Sequence, residues 1–195
     1  MIYFAVIGHN ACTNGDFRLT DLPGGAGRMD LLCRCVSASL FLSHGIRKDV
    51  ICYLLLLGKP DAPKTIRFDG SCVKYLSPDE RNIASHIQKA LSMPCGSLFR
   101  DSSPGIAVRR GGLIELLSEH QFVILDEGGE DVRMDDNAMR YDSYLLSDHG
   151  NFTSEEEEKV KDLFRISLGP CVVHADHAIV LLHNERDRAV CVLKG

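Results

Sequence analysis

Short aliphatic runs that close on glycine mark the first part of the chain. Residues 2–8 (IYFAVIG) and 50–58 (VICYLLLLG) are almost wholly apolar. Runs of this length and composition are typical of strands buried on both faces. Between them, after a turn-rich loop at 21–27, apolar residues recur at roughly helical spacing from Met29 to Ser43. The pattern predicts a strand, a helix and a second strand.

A hairpin and a capped helix are predicted next. Thr65–Phe68 and Val73–Leu76 flank an Asp-Gly-Ser turn and have the composition of two paired strands. Ser77 precedes Pro78 and lies three residues before Glu80, the arrangement of a capping box with proline at the first helical position. We therefore expect a helix that begins within a residue of Ser77.

Three similar units follow residues 95–105, where the pattern breaks into a predicted loop. Phe122–Leu125, Ser143–Leu146 and Phe164–Leu168 are short apolar runs, and each leads into a loop that contains glycine. Thr153, followed by four glutamates, predicts a further helix start because carboxylates favour the first helical turn. This alternation of strands and helices favours an α/β fold with a mostly parallel sheet flanked by helices.

The three glycine-containing loops predict one ligand pocket. In parallel α/β sheets, ligands bind outside the carboxyl ends of the strands. Glycine lets the backbone approach a ligand closely, so main-chain groups would make most of the contacts. The alternative is three ordinary turns. Neither GxGxxG after the first strand nor GxxxxGK[ST] occurs, which argues against a Rossmann dinucleotide site and a P-loop.

The charge of the chain is unevenly distributed. The formal net charge is −5, but residues 1–110 carry 14 Lys and Arg against 9 Asp and Glu (+5), whereas residues 111–195 carry 8 against 18 (−10). A basic part on an acidic protein suits a polyanion such as RNA, although an ordinary solvated surface is the alternative. Eight cysteines without a CxxC pair, and no apolar run near the roughly 18 residues of a membrane span, predict reduced thiols and a cytoplasmic protein without a membrane anchor.

Several residue groups suggest other chemistry but lack the required spacing. His174, His177 and His183 occur without HExxH or a cysteine pair, so no metal is expected. The Ser-Asp-His run at 147–149 has no GxSxG elbow, and catalytic triads converge from separate elements. The Cys-Arg-Cys run at 33–35 places its thiols on different sides of a helix, which favours core packing over a redox pair.

One polar set has the composition of a nucleotide site. Carboxylate and guanidinium groups lie at or near predicted helix starts and together can orient a base edge and a phosphate. They can equally be structural salt bridges. The set consists of Arg28, Asp30, Arg34, Asp79 and Arg81.

Motifs along nearly the whole chain resemble one known family. They are DLPG at 21–24, GRMDLLCRCVS at 27–37, FLSHGIRKDV at 41–50, SPDERN at 77–82, PGIAVRR at 104–110, SDHG at 147–150, SLGP at 167–170, HADH at 174–177 and HNERDR at 183–188. In this order they resemble the archaeal tRNA pseudouridine(54) N1-methyltransferases, which belong to the SPOUT (α/β-knot) superfamily.

The resemblance implies a single SPOUT domain over 1–195, with an N-terminal extension, a C-terminal trefoil knot and S-adenosylmethionine as methyl donor. The part at about 1–110 would face RNA, and the part at about 111–195 would bind the donor. Many family members carry cysteine where this chain has alanine at 178. The implied donor-binding residues are Leu125, Gly150, Leu168, Gly169, Pro170, Cys171, Val172, Val173 and Ala178.

The implied reaction is methylation of N1 of pseudouridine at position 54 in the T-loop of tRNA by a homodimer. Asp79 is the implied catalytic residue. A related enzyme for another, ribosomal pseudouridine and a non-catalytic RNA-binding knot protein are the alternatives. The candidate RNA-binding residues are Arg28, Arg34, Arg47, Arg109 and Arg110.

Overall fold

The computed structural model describes residues 1–134 and 137–192, which form an α/β structure. Its strands are β1 (Ile2–Gly8), β2 (Phe41–Leu42), β3 (Gly45–Ile46), β4 (Val50–Leu56), β5 (Lys64–Asp69), β6 (Arg100–Ser103), β7 (Ile106–Arg110), β8 (Val123–Asp131), β9 (Ser143–Ser147) and β10 (Arg165–Ser167). Its helices are α1 (Met29–Leu40), α2 (Glu80–Leu91), α3 (Leu113–Glu119), α4 (Asn137–Arg140), α5 (Ser154–Val160) and α6 (Ala175–Val192).

The main sheet of the described residues has eight strands in the order β10-β8-β9-β1-β4-β5-β7-β6. The first five in this order are mutually parallel. The remaining pairings, β4 with β5, β5 with β7 and β7 with β6, are antiparallel. The predicted mostly parallel α/β sheet is confirmed, and all three predicted C-terminal strands belong to its parallel part.

Both faces of the sheet are covered by helices. Along β1, Phe4 and Val6 pack into the core that includes α1, α2 and α6, whereas Ala5 and Ile7 pack into a second core with α3 and α5. All four side chains are fully buried. Burial on both faces explains why the strand is a continuous apolar run and does not alternate with polar residues.

Helix α2 begins two residues later than the sequence pattern predicts. Its N-cap is Asp79, whose Oδ1 accepts a hydrogen bond of 2.9 Å from the Asn82 backbone N–H. The Ser77 hydroxyl instead donates to Asp79 Oδ2 at 2.6 Å. The predicted start at Ser77 was wrong because a second good capping residue lies close to the helix and takes the cap.

The predicted hairpin was also wrong. Strand β5 pairs with β4 and β7, while residues 73–76 lie outside the strands. The backbone N–H of Val73 donates to Asp69 O at 2.9 Å, which turns the chain away from the β5 ladder. The second strand of the expected pair is supplied by residues 106–110, so the predicted loop at 95–105 contains β6 and leads directly into β7.

Helix α1 ends at Leu40, three residues before the predicted end at Ser43, because the chain forms the short hairpin β2–β3. Phe41 pairs there with Ile46. The shortened helix keeps Arg28 and Asp30 at its start, so the predicted polar set still lies at a helix terminus.

The ladder between β8 and β10 contains an irregularity that opens the sheet edge. Arg165 is opposite Ile124, but the next residue, Ile166, is opposite Glu130. Residues 125–129 therefore leave the regular ladder and form a bulge inside β8. The strand thus continues beyond its predicted end at Leu125, and the first of the three predicted loops is this bulge. A side chain at Gly129 would place its Cβ 2.5 Å from the Arg165 carbonyl carbon, so glycine is required where the loop returns to the strand.

Candidate donor-binding site

A cavity of about 220 Å³ lies between the bulge in β8 and the carboxyl end of β10. Residues 125–127 form one wall, residues 168–173 form another, and Ala178 and Leu181 of α6 close it. An adjoining cavity of about 270 Å³ shares Leu125, Asp126, Glu127, Val173 and Ala178 with the first and adds the loop after β9. The three glycine-containing loops thus line two connected cavities, as the strand pattern predicted.

Every residue that the resemblance implies for donor binding lies on these cavities. The first cavity is lined by Leu125, by residues 168–173 and by Ala178. Gly150 lines the second. The structure brings all nine together from three loops and one helix.

The backbones of the second and third loops are held by short-range hydrogen bonds. Asp148 Oδ1 accepts from the Gly150 N–H at 3.0 Å, and the Ser147 hydroxyl donates to Gly150 O. In the third loop, the Ser167 hydroxyl donates to Gly169 O at 2.9 Å. Gly169 has a φ of +143°, and nothing lies within 4 Å of its missing Cβ. Glycine is therefore required at 169 by the backbone conformation, because the surroundings leave room for a side chain.

Carboxylates dominate the polar part of these walls. Asp126, Glu127, Asp148 and Glu157 line the second cavity, together with one cation, Arg165. Arg165 is paired with both Asp126 and Glu157. The site therefore presents net negative charge and is suited to a cationic ligand. Sequence reasoning missed these side chains, although the Asp-Glu-Gly-Gly run after the first C-terminal strand was the available signal.

A second groove, of about 470 Å³, lies on the other side of α6. Arg34 crosses it, donating to Asp30 at 3.1 Å and to Glu80 at 3.2 Å, and its Nε lies 3.4 Å from Asp176 Oδ2. Arg28 pairs with the same Asp30. These contacts assemble much of the polar set that the sequence singled out. The groove is lined by Arg34, Ser37, Ala38, Phe41, Pro78, Asp79, Glu80, Asp176, His177 and Val180.

Asp79 lies on this groove as an ionised helix cap. The hydrogen bond from the Ser77 hydroxyl, followed by that from the Asn82 backbone N–H, holds the pKa of the Asp79 carboxyl below its usual value. Asp176 differs in one respect. Among the residues that the structure describes, its buried Oδ1 has no hydrogen-bond partner, which is uncommon for a buried polar atom.

The candidate RNA-binding arginines are all paired with carboxylates. Besides Arg28 and Arg34, Arg47 forms a two-pronged pair with Asp187, with distances of 3.0 and 2.6 Å, and Arg110 pairs with Asp61 at 2.7 Å. Unlike the other four arginines, Arg109 is buried. It is 5% exposed, pairs with Glu119 and lies over the Phe99 ring. In this conformation the Arg109 guanidinium is not available to a phosphate, which removes it from the candidate phosphate contacts.

Within the described residues, the histidines and the Cys33 and Cys35 thiols do not form the metal or redox sites considered from the sequence. No group of three or more His, Cys, Asp and Glu residues within 1–134 and 137–192 is arranged to hold a metal ion. His183 Nε2 bonds to Ser39 O at 3.0 Å, and burial lowers the pKa of His183 to about 4, so its ring is neutral. Burial raises the pKa of both the Cys33 and Cys35 thiols, consistent with core packing.

Comparisons with known proteins give the family. A family model described as "Putative SAM-dependent RNA methyltransferase" matches residues 1–191. The chain belongs to this family. It is 55% identical over 188 residues to a tRNA (pseudouridine(54)-N(1))-methyltransferase of Methanospirillum hungatei, with 96% of this chain and 97% of the relative covered. It is 50% identical over 192 residues to the protein of that name from Methanocorpusculum labreanum, with 96% and 97% covered.

A solved structure shares the fold of this chain. It is Archaeoglobus fulgidus Nep1 bound to S-adenosylhomocysteine, matched with a TM-score of 0.63 and 16% identity over 85% of this chain and 72% of that one. In the part of the chain that the structure describes, no helix is long and apolar enough to cross a membrane.

Replacing Gly169 by valine tests whether the third loop binds the donor. A β-branched residue at this φ is strained by about 1–3 kcal/mol, which corresponds to an about 5- to 150-fold loss of S-adenosylmethionine affinity if the loop must deform. Calorimetric titration of the folded variant measures the loss. Gly96→Val, in another loop with nothing within 4 Å of the missing Cβ, should bind normally. Unchanged binding by Gly169→Val would exclude the third loop from the site.

Proposed function

We propose that this chain transfers the methyl group of S-adenosylmethionine to N1 of pseudouridine 54 in tRNA. The observation that carries the proposal is the pair of connected cavities built by three loops at one sheet edge. It is supported by relatives of about 50% identity that are named for this reaction. The fold match to a protein bound to S-adenosylhomocysteine also supports it.

In this proposal the loops hold the donor through backbone groups, and the acidic walls attract its charge. At neutral pH S-adenosylmethionine carries a sulfonium, an ammonium and one carboxylate, so its net charge is +1. The product, S-adenosylhomocysteine, has lost the sulfonium charge. Walls formed by Asp126, Glu127 and Glu157 carry more negative charge than Arg165 neutralises, so they favour the charged donor over the product, which assists their exchange.

We place the target base in the groove on the other side of α6. Because this helix separates the groove from the donor cavity of the same chain, the methyl group would come from the donor held by the partner subunit of the homodimer proposed below. His177 and Val180 line that groove, while Ala178 and Leu181 of the same helix line the donor cavity. The unpartnered Asp176 Oδ1 is an acceptor that a base N–H can satisfy, and Arg34 offers donors beside it. The groove thus combines polar groups suited to the edge of a uracil-type ring with the aromatic side chain of Phe41.

The chemistry needs one proton removed and one methyl group transferred. Pseudouridine is joined to its ribose through carbon, so N1 carries a proton. We propose that Asp79 accepts this proton, directly or through water, while N1 bonds to the methyl carbon and the carbon–sulfur bond breaks. Since the Asp79 carboxyl has a lowered pKa, it is a weak base. The rate must then come chiefly from positioning and from charges that stabilise the deprotonated ring.

Mapping the modified nucleotide tests this function. The chain is incubated with donor and with tRNA that carries pseudouridine at position 54, and nuclease fragments are analysed by mass spectrometry. We expect one added methyl group, on the T-loop fragment and on N1. A matched tRNA with uridine at position 54 should gain none, because its N1 is already bonded to ribose.

Two other results would instead favour one of the alternative functions. Methylation of a ribosomal RNA fragment but not of tRNA would indicate a related enzyme for another pseudouridine. RNA binding without methyl transfer from labelled donor would indicate a non-catalytic RNA-binding protein. This alternative was suggested by alanine at 178, where many family members carry cysteine.

We propose that the basic part at about 1–110 is the RNA face and that the part at about 111–195 binds the donor. The phosphate contacts would come from Arg28, Arg34, Arg47 and Arg110, whose carboxylate partners hold the guanidinium groups in place. Partial neutralisation by these carboxylates weakens each contact with bulk polyanion, while RNA of the right shape can still meet several of them together.

The salt dependence of tRNA binding tests this face. If about four cations meet phosphates, the logarithm of affinity should fall with the logarithm of salt concentration at a slope near −3. Arg110→Ala should flatten the slope by about 0.7–0.9. The matched control is Arg133→Ala, which removes an exposed, carboxylate-paired arginine from the acidic part and should leave the slope unchanged. An equal effect of both variants would contradict the division into two parts.

We further propose a cytoplasmic homodimer in which the C-terminal chain forms the family's trefoil knot. The apolar run at 178–182 is only partly hidden within one chain. Ala178, Ile179 and Leu182 are buried, but Val180 is 52% and Leu181 is 40% exposed. The neighbouring Val172 and Val173 are also exposed, so a partner has an apolar surface to cover. A stable monomer in sedimentation at micromolar concentration would contradict the dimer.

A further inference from the structure

His9 lies directly behind the second donor loop. It follows the last residue of β1, and its side chain is 17% exposed. The position that a Cβ of Gly150 would occupy is 3.7 Å from His9 Nδ1. The His9 backbone N–H also donates to Asp148 Oδ2 at 3.0 Å. The residue therefore joins the centre of the sheet to a loop that lines the donor site.

Both ring nitrogens of His9 face carboxylates. Nδ1 is 2.9 Å from Asp148 Oδ1, and Nε2 is 2.9 Å from Glu156 Oε2. A neutral imidazole has only one N–H, so one of its nitrogens would direct a lone pair at a carboxylate oxygen. Only the imidazolium donates to both. The geometry therefore requires a charged ring.

Each carboxylate also holds a different part of the site. Asp148, whose side chain is 1% exposed, accepts from the Gly150 backbone N–H with the same Oδ1 that meets His9. Glu156 accepts from the backbone N–H and hydroxyl of Thr153 at the start of α5. The protonated ring thus links the second donor loop to the helix that follows it and separates two negative charges.

The charged groups around His9 favour its protonated form. Burial of the ring works against the charge, but hydrogen bonds to Asp148 and Glu156 outweigh it and raise the pKa of His9 above 6.5. His149 faces the same cluster, with its Nδ1 3.4 Å from Asp148 Oδ2. A group with a raised pKa contributes fully at low pH, and its contribution is lost as pH rises through that pKa.

We propose that protonated His9 is a positioning residue that holds the second loop in its donor-binding form, so that S-adenosylmethionine binds more tightly when His9 is charged. The inference rests on the proposed function. It adds a control of donor affinity by proton concentration, exerted through a residue that does not itself line the described cavities. The loop carries the effect because Asp148 contacts both the ring and the Gly150 backbone.

Calorimetric titration with S-adenosylmethionine at several pH values tests the inference. Wild-type affinity should weaken as the pH rises through the raised pKa of His9, because the ring then loses its proton. His9→Gln should bind about tenfold more weakly at the lowest pH, as expected for one lost charge-assisted hydrogen bond, and should lack this pH dependence. The donor's own ammonium titrates in both proteins, so the difference between the two profiles isolates His9.

His120→Gln is the matched control. His120 is also partly buried, but it lies between α3 and β8, near Tyr3 and Tyr53, and burial lowers its pKa. This variant should keep the wild-type affinity and profile. If His9→Gln follows the wild-type profile, or weakens binding equally at every pH, a positioning role for the charge is excluded.

A second variant keeps the inference testable if His9→Gln does not fold. Glu156→Gln removes one of the two carboxylates that stabilise the imidazolium, so the pH at which affinity is lost should move downward. A purely structural role would lower affinity without moving that midpoint. Absence of donor binding by the wild-type chain at every pH would instead overturn the proposed function itself.

Discussion

The parallel pairing of β10, β8, β9 and β1 is the constraint on which the candidate site depends. Parallel strands run in one direction, so the bulge in β8 and the loops that follow β9 and β10 meet at one edge although they are distant in sequence. The irregular pairing between β8 and β10 adds room by releasing residues 125–129 from the ladder. Burial of β1 on both faces fixes the strand against which the others align.

Charge is organised around the same edge. The acidic residues in the bulge of β8 and after β9 line the candidate donor cavities, while the arginines of the N-terminal part lie around α1, β3 and β7. Several charges in these regions are paired with an opposite charge, as Arg165 is with Asp126 and Arg110 with Asp61, and this weakens both fields. Opposite charges are also paired in the His9 cluster, where one cation separates two carboxylates. What distinguishes the donor site is its surplus of carboxylates, which matches the sulfonium.

Sequence periodicity predicted the features that local composition determines. Continuous apolar runs identified the strands of the parallel sheet, and the glycines that follow three of these runs indicated which segments line the cavities. Periodicity failed where contacts between residues distant in sequence determine the structure. The partner of Thr65–Phe68 is residues 106–110 and not the adjacent run, and Asp79 takes the cap expected at Ser77. The burial of Arg109 depends on Phe99 and Glu119, which no spacing rule connects.

The implied donor-binding residues came from motifs and not from periodicity alone. Gly150 and residues 168–173 follow predicted strands, but only the family resemblance implied that they share one ligand with Ala178. The His9 cluster escaped both routes because its members are about 140 residues apart. Such a contact becomes visible only when the strand order places the end of β1 beside the loop after β9.

The central claim is that the donor binds at this sheet edge through the three loops. Hydrogen exchange of the backbone amides, measured by mass spectrometry with and without S-adenosylhomocysteine, tests it most directly. We expect the ligand to slow amide exchange only in residues 125–129, 147–151 and 168–173. Exchange around His120, at the opposite edge of the sheet, should not change. Protection elsewhere, without any at these three loops, would contradict it.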